Sequence, residues 1–140
     1  MGNISYFNRV ITGFYFYDFG NRLYGIDPAN NKADQVIAWE DYTPHKEFNV
    51  FFVLGSINFG DGKYVESQIA KLSRETKTGD RIYWRQNPGI GDHPWKDTAQ
   101  INFYPWSFDK NKEWANKYNF TINELLQDTG DRIYAEWTRN

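Results

Sequence analysis

The central part of the chain combines an apolar run, a helical pattern and a second short strand. Residues 48–54 form an apolar run rich in aromatic and β-branched side chains, which is typical of a strand buried in a parallel sheet. Beyond it, Val65, Ile69 and Leu72 recur at helical spacing, and residues 81–85 alternate as a strand. We therefore predict two parallel strands joined by a helix in a right-handed crossover.

Local signals place the ends of the helices and a closing hairpin. Asp61 is suited to cap the first helix, and Gly79 is a candidate for its stop. Ser107 is suited to cap a second helix. Residues 120–138 predict two strands joined by a turn at 129–131, that is, a terminal β-hairpin.

The N-terminal third predicts three short strands. They lie at residues 14–17, 23–26 and 35–39, and their connections are too short for full crossover helices. Residues 86–106 form the longest irregular stretch, with several Pro and Gly residues. Because no break in composition divides the chain, we predict a single α/β domain over residues 1–140.

Composition narrows the expected compartment and partners. The formal net charge is −2 with both signs mixed along the chain, so electrostatics offers no case for nucleic acid or an anionic membrane. No apolar run approaches the roughly 20 residues that span a bilayer. Without cysteine, disulfides and thiolate metal ligands are excluded, and His45 and His93 lack paired spacing. We predict a cytoplasmic protein with no metal site.

Aromatic residues are unusually frequent, at 19% of the chain. A surface that stacks sugars or bases would use such rings. A small domain that fills its core with large rigid side chains would use them too, and we favour this second interpretation.

Acidic and small residues follow three predicted strands at the point where each one ends. Asp27 follows the strand at 23–26, Glu40 and Asp41 follow the strand at 35–39, and Gly55 follows the central apolar strand. In an open α/β sheet the carboxyl ends of parallel strands share the edge where ligands bind. An ionised carboxylate can accept two hydrogen bonds, as the hydroxyls of a ribose require. The pattern predicts a nucleoside site at this edge.

From residue 23 to residue 138 the order of elements resembles that of class I S-adenosylmethionine-dependent methyltransferases. Residues 24–27 are similar to the family's second strand with its ribose-binding acid, and residues 48–58 to its fourth strand and following loop. Residues 79–84 resemble the fifth strand, and the hairpin at 120–138 resembles the family's closing hairpin. The resemblance implies a three-layer, Rossmann-like α/β sheet, mostly parallel, with a C-terminal antiparallel hairpin and an abbreviated N-terminal part.

The resemblance also implies a set of site residues. S-adenosylmethionine would contact residues near the strand ends, namely Asp18, Gly20, Asp27, Glu40, Asp41, Leu54, Gly55 and Ser56. A small-molecule or other methyl acceptor would face the loops after the fourth and fifth strands, namely Asn58, Arg85, Asn87, Trp95 and Tyr104. No dedicated covalent nucleophile is needed, because the enzyme mainly aligns the acceptor with the sulfonium methyl group and excludes water.

The front of the chain departs from the family pattern and leaves alternatives open. Only Asp18 and Gly20 remain of the glycine-rich turn, and the same residues would also suit a simple hairpin turn. A non-catalytic binding domain is therefore the rival hypothesis, with Trp95, Tyr104 and Trp106 as an exposed recognition patch. A sheet with a shortened first crossover would also leave one face uncovered, which predicts a homodimer.

Overall fold

The computed structural model describes residues 22–88 and 104–140. Within these ranges it contains four strands, two α-helices and two short 3-10 turns. In chain order these are a 3-10 turn at Trp39–Asp41, β1 at Val50–Leu54, α1 at Gly62–Glu75, β2 at Arg81–Gln86, α2 at Phe108–Lys117, β3 at Phe120–Gln127, a 3-10 turn at Thr129–Asp131 and β4 at Ile133–Arg139.

The four strands form one sheet in the order β1-β2-β4-β3. β1 and β2 pair in parallel, whereas β4 pairs antiparallel with both β2 and β3. The predicted parallel unit and the closing hairpin are therefore present. The expectation of a mostly parallel sheet is wrong for the described residues, because β4 returns between β2 and β3 and makes two of the three pairings antiparallel.

The sheet also differs from the prediction because two of the strands predicted in the N-terminal third do not form. Residues 23–26 and 35–39 form no strand and share a single parallel bridge between Ile26 and Gln35. The bridge is held by backbone hydrogen bonds from the Asp27 amide to the Gln35 carbonyl at 3.2 Å and from the Gln35 amide to the Gly25 carbonyl at 3.1 Å. The segment predicted at 14–17 lies outside the described residues.

The first helix forms where its cap and its apolar spacing predict it. The Asp61 carboxylate accepts the Tyr64 amide at 2.8 Å, and Val65, Ile69 and Leu72 are fully buried against the sheet. The helix ends at Glu75, before Gly79, because the backbone becomes extended at Thr76. Gly79, predicted as the stop, instead adopts a φ of 93° in the turn that leads to β2.

Both described helices pack against the same face of the sheet. The second helix begins after Ser107, whose hydroxyl accepts the Lys110 amide at 3.0 Å. The helices lie side by side, since the Ser73 hydroxyl donates to the Tyr118 carbonyl at 2.8 Å and Lys117 pairs with Glu66. The described part therefore has two layers, one of helices and one of strands, instead of the three expected.

Aromatic side chains fill the space between these two layers. The five tryptophans of the described ranges are each at most 2% exposed, and they are Trp39, Trp84, Trp106, Trp114 and Trp137. Trp84 and Trp137 are in direct contact at the centre, with ring centroids 4.6 Å apart. The interpretation of the aromatic residues as core is confirmed for these rings. Trp106, expected on an exposed patch, is buried, and its indole N–H donates to the Ile57 carbonyl at 2.7 Å.

No helix in residues 22–88 and 104–140 is long and apolar enough to cross a bilayer. The longest one, α1, also carries charged side chains such as Lys71 and Arg74 within its sequence.

Candidate functional site at the carboxyl ends of the strands

Three strands end along one edge of the sheet. β1 and β2 are parallel, and β3 runs in the same direction because both it and β2 are antiparallel to β4. The Gly55 amide donates to the Arg85 carbonyl at 2.8 Å, so the ends of β1 and β2 lie side by side. We call this edge the carboxyl rim; it consists of the segments after β1 (55–61), after β2 (87–88) and after β3 (128–132). The fold thus provides the edge at which ligands bind in α/β sheets.

The segment directly after β1 holds an unsatisfied polar group. Leu54 is the last residue of β1, and Gly55 adopts a φ of 81°. No atom of the other described residues lies within 4 Å of the position a Cβ would occupy there, its chain neighbours aside. Ser56 is only 3% exposed, and its hydroxyl has no hydrogen-bond partner among residues 22–88 and 104–140. A buried hydroxyl without a partner is costly, so this oxygen is available to a polar group of a ligand.

Asn58 connects segments at the carboxyl rim through hydrogen bonds of its side chain. Its side-chain oxygen accepts the Asn87 amide at 2.7 Å, and its side-chain nitrogen donates to the carbonyls of Asn87 at 3.2 Å and Tyr104 at 2.9 Å. The residue is 1% exposed. Its amide is therefore occupied by backbone groups from two other segments, and it holds the loop after β1 against the end of β2 and the segment that enters α2.

The acidic pair Glu40 and Asp41 lies beside the first turn of α1. The Tyr64 hydroxyl donates to the carboxylate of Glu40, and the Trp39 indole donates to the Gln68 carbonyl at 3.1 Å. Glu40 is thereby held beside the carboxyl rim, because Tyr64 follows closely on Asp61 at the end of the loop after β1. Asp41 is exposed in the same 3-10 turn. Glu40 therefore contacts the first turn of α1, which directly follows the loop after β1.

Tyr64 is the site residue that sequence reasoning missed. Its ring packs over Gly60, where a Cβ would come within 2.7 Å of the Tyr64 Cδ1 atom. Burial, the hydrogen bond to Glu40 and the charges of Glu40 and Asp41 raise the pKa of Tyr64 to about 12. A glycine followed at helical spacing by an aromatic residue was the available signal, but the bond to Glu40 joins residues far apart in the sequence.

We expect Tyr64 to remain largely protonated at about pH 11, where an ordinary tyrosine, with a pKa of about 10, is mostly ionised. Carbon-13 NMR of ring-labelled tyrosine measures this, with Tyr64→Phe to assign the signal. Glu40→Gln should lower the pKa, because a neutral amide replaces the carboxylate, whereas Asp109→Asn on α2 should leave it unchanged. A wild-type midpoint near pH 10 would contradict the hydrogen bond.

The same bond sets the direction of the pH dependence of stability. The pKa of Tyr64 is about 12 in the folded chain and is higher than in the unfolded chain. The contribution of the neutral phenol to stability is therefore complete below about pH 10 and is lost as the pH rises through the folded value.

Asp27 lies beside the parallel bridge between Ile26 and Gln35. One of its carboxylate oxygens accepts the Ala29 amide at 2.8 Å, in a turn closed by the side chain. No hydrogen bond among the described residues links Asp27 to Glu40 or to the loop after β1. The other carboxylate oxygen has no hydrogen bond in this part of the chain.

The remaining predicted residues divide between described and undescribed positions. Arg85 is half exposed near the end of β2, and its Nε lies 3.2 Å from an oxygen of Asp128. Tyr104 is partly buried, and its ring contacts Trp114 at a centroid distance of 5.2 Å. Burial raises the pKa of its phenol. Asp18, Gly20 and Trp95 lie outside the described residues.

A separate groove lies at the opposite end of the sheet. It has a volume of about 450 Å³ and is lined by the start of β1, the end of α1 and residues 44–48. Lys77 and Glu47, both lining residues, form an ion pair with an Nζ–Oε2 distance of 2.8 Å. This groove does not coincide with the carboxyl rim. The described residues also contain no cluster of three or more acidic or histidine side chains that could hold a metal ion.

Comparisons with known proteins support the fold. No family model matches the sequence, and no curated protein does. Among solved structures, the chain is similar to an O-methyltransferase family 2 protein from Planctomyces limnophilus DSM 3776, solved in complex with apigenin. The TM-score is 0.56 at 9% sequence identity. The match covers 70% of this chain and 32% of that protein, so the matched part corresponds to about a third of the neighbour's length. The described part is thus a mixed α/β sheet of four strands with two helices, and its fold is similar to that of this O-methyltransferase.

Proposed function

We propose that this chain is a methyltransferase-like protein that binds S-adenosylmethionine at the carboxyl rim. The observation that carries the proposal is the buried Ser56 hydroxyl, which has no partner within the described part of the chain and lies next to space at Gly55 that the described residues leave open. A ligand at this position would satisfy the hydroxyl and fill space that a side chain at Gly55 would otherwise occupy. The likeness of the fold to an O-methyltransferase supports the choice of ligand.

The proposal divides the roles among the residues predicted from the sequence. Asp27, with one carboxylate oxygen still available, would accept hydrogen bonds from the ribose, and Glu40 with Asp41 would lie near the adenine. Leu54, Gly55 and Ser56 would face the methionine part of the cofactor. The same proposal assigns Asp18 and Gly20 to the cofactor.

The cofactor supplies an electrophilic methyl group on a sulfonium. The part of the protein is to hold an electron-rich atom of the acceptor in line with that group and to exclude water. Arg85, Asn87, Tyr104 and Trp95 are proposed to face the acceptor. Asn58 would act indirectly, because its amide holds the loop after β1 in place.

Calorimetric titration with S-adenosylmethionine and S-adenosylhomocysteine tests the proposal, and both compounds are expected to bind. Asp27→Asn keeps the oxygen that accepts the Ala29 amide but removes the charge, so it should weaken binding by about 1.5 kcal/mol or more. Asp109→Asn, on the exposed start of α2, should not change the affinity. Absence of binding at millimolar ligand would refute the proposal.

The second candidate is a non-catalytic binding domain that keeps the sheet. It is favoured by the internal hydrogen bonds of Glu40 to Tyr64 and of Asp27 to Ala29, which give both acids a structural use. Under this alternative the Tyr64 signal in the NMR titration would not respond to S-adenosylmethionine. Under the first candidate it would shift, because the nucleoside would bind beside Glu40.

A further inference from the structure

Two arginines stand together at the carboxyl rim, on the side of the sheet that faces away from α1 and α2, which we call the outer face. Arg85 of β2 pairs in register with Tyr134 of β4, and Arg132 lies two positions before Tyr134 in extended backbone. Residues two apart on a strand point to the same face. Arg85 and Arg132 are thus diagonal neighbours, and residues in this relation are roughly 7–8 Å apart, which is within reach of two long side chains.

Among the described residues, the ion pair formed by these two guanidinium groups is the one between Arg85 and Asp128. An oxygen of Asp128 lies 3.2 Å from the Arg85 Nε, while the other oxygen accepts the Thr129 amide at 2.8 Å. The Arg132 side chain makes no hydrogen bond or ion pair within the described part of the chain. Two effects lower the pKa of Arg132: partial burial, which is the larger, and the nearby positive charge of Arg85. Two positive charges are therefore held close together against one negative charge.

The remaining described neighbours on the outer face form no ion pair with either arginine. Leu126 pairs in register with Tyr134 and is apolar, and the Tyr134 hydroxyl donates to Glu136, which lies further from the rim along β4. Glu136 pairs in register with Tyr83 and Glu124. It is a diagonal neighbour of Arg85, but no ion pair joins the two in the described part of the chain, and it lies four positions along β4 from Arg132. The surplus positive charge therefore lies at the rim itself.

We propose that Arg85 and Arg132 form a binding site for an oxyanion, namely the carboxylate or phosphate group of a small molecule. Planar guanidinium groups bind such groups with paired hydrogen bonds, and two of them can hold one anion. This step rests on the proposed function: the methyl acceptor would be an anionic small molecule, because the two arginines lie next to Gly55 at the end of β1.

The test follows the side-chain Nε–H signals of the arginines by NMR during titration with sodium phosphate, sodium acetate and, as the control for ionic strength, sodium chloride. Arg81→Gln is the matched control variant, because Arg81 lies on the same strand and the same face but at the opposite end of β2. Arg132→Gln and Arg85→Gln remove the two members of the pair. Backbone amide spectra of each variant verify that the fold is intact.

Phosphate or acetate is expected to shift the Arg85 and Arg132 signals in a saturable manner in the wild type and in Arg81→Gln. Arg132→Gln should weaken the binding by roughly tenfold, since one charged hydrogen-bonding partner is lost. Asp128→Asn keeps an oxygen for the Thr129 amide but removes the competing charge, so it should tighten binding. Preference for phosphate or for acetate at equal ionic strength distinguishes the two kinds of ligand.

Shifts that match those caused by chloride, or that persist unchanged in Arg132→Gln, would overturn the site. This outcome is independent of the cofactor, because none of these titrations contains S-adenosylmethionine. Saturable anion binding without binding of S-adenosylmethionine would retain the oxyanion site and reject the proposed methyl transfer. Binding of the cofactor without an effect of phosphate or acetate would do the reverse.

Discussion

Replacing Trp137 with alanine is expected to lower the free energy of unfolding by about 3–5 kcal/mol. Trp137 is 0% exposed, and its ring contacts Trp84 at 4.6 Å and Phe120 at 5.4 Å between centroids. Its removal leaves a cavity at the centre of the sheet that the rigid neighbouring rings cannot fill. Since small domains are stable by only about 5–15 kcal/mol, this loss is a large share of the total. Urea unfolding followed by circular dichroism measures it.

Phenylalanine substitutions separate packing from hydrogen bonding in this core. The Trp137 indole N–H has no partner in the part of the chain that the structure describes, so Trp137→Phe loses ring volume only. Trp106→Phe loses similar volume and also leaves the Ile57 carbonyl, which accepts the indole N–H at 2.7 Å, without its donor. We expect Trp106→Phe to be more destabilising by about 1–3 kcal/mol. Equal losses in the two variants would contradict this assignment.

Elements with local signals could be predicted from the sequence. The run at 48–54 contains β1, and Asp61 and Ser107 cap the two helices as expected because each cap bonds to an amide only three residues away. The turn at 129–131 likewise closes the hairpin between β3 and β4. In each of these cases the decisive contact lies within a few residues, so the sequence pattern contains it.

The errors concern contacts between distant segments. Apolar residues at 23–26 and 35–39 predicted strands, but in the structure Ile26 and Trp39 are buried in the common core, and only one bridge forms between the segments. Burial in the core can satisfy an apolar pattern without a strand, and periodicity does not distinguish the two. The position of β4 between β2 and β3 was missed for the same reason, because pairing order is set by tertiary packing.

The candidate site shows the same contrast between local signals and contacts of distant segments. The sequence indicated Glu40 and the loop after β1, and these lie together. The partner that joins them, Tyr64, was not predicted, since a hydroxyl can serve many acceptors. Arg132 was also missed as a site residue, although the alternation of the predicted hairpin already placed it on the same face as Tyr134. Its significance depends on Arg85, which only the sheet register brings near.

Asn58→Ala is the second substitution with a large expected effect, a loss of about 3 kcal/mol or more in the free energy of unfolding. The side chain makes three hydrogen bonds to backbone groups of Asn87 and Tyr104, and it is 1% exposed. Its removal takes one hydrogen bond each from the Asn87 amide, the Asn87 carbonyl and the Tyr104 carbonyl. Urea unfolding measures the loss, and Asn116→Ala, at an exposed position on α2, provides the control.

Asn58→Asp distinguishes hydrogen bonding from simple loss of volume at this position. The ionised carboxylate would face the Asn87 and Tyr104 carbonyls without a proton to donate, whereas the protonated acid can donate one hydrogen bond and accept another. Burial would raise the pKa of this new acid in the folded chain above its unfolded value of about 3.9. The stability of the variant relative to wild type should therefore be greatest at low pH and should fall as the pH rises through the folded value. A difference that does not depend on pH would show that the amide of Asn58 does not hold the carboxyl rim together.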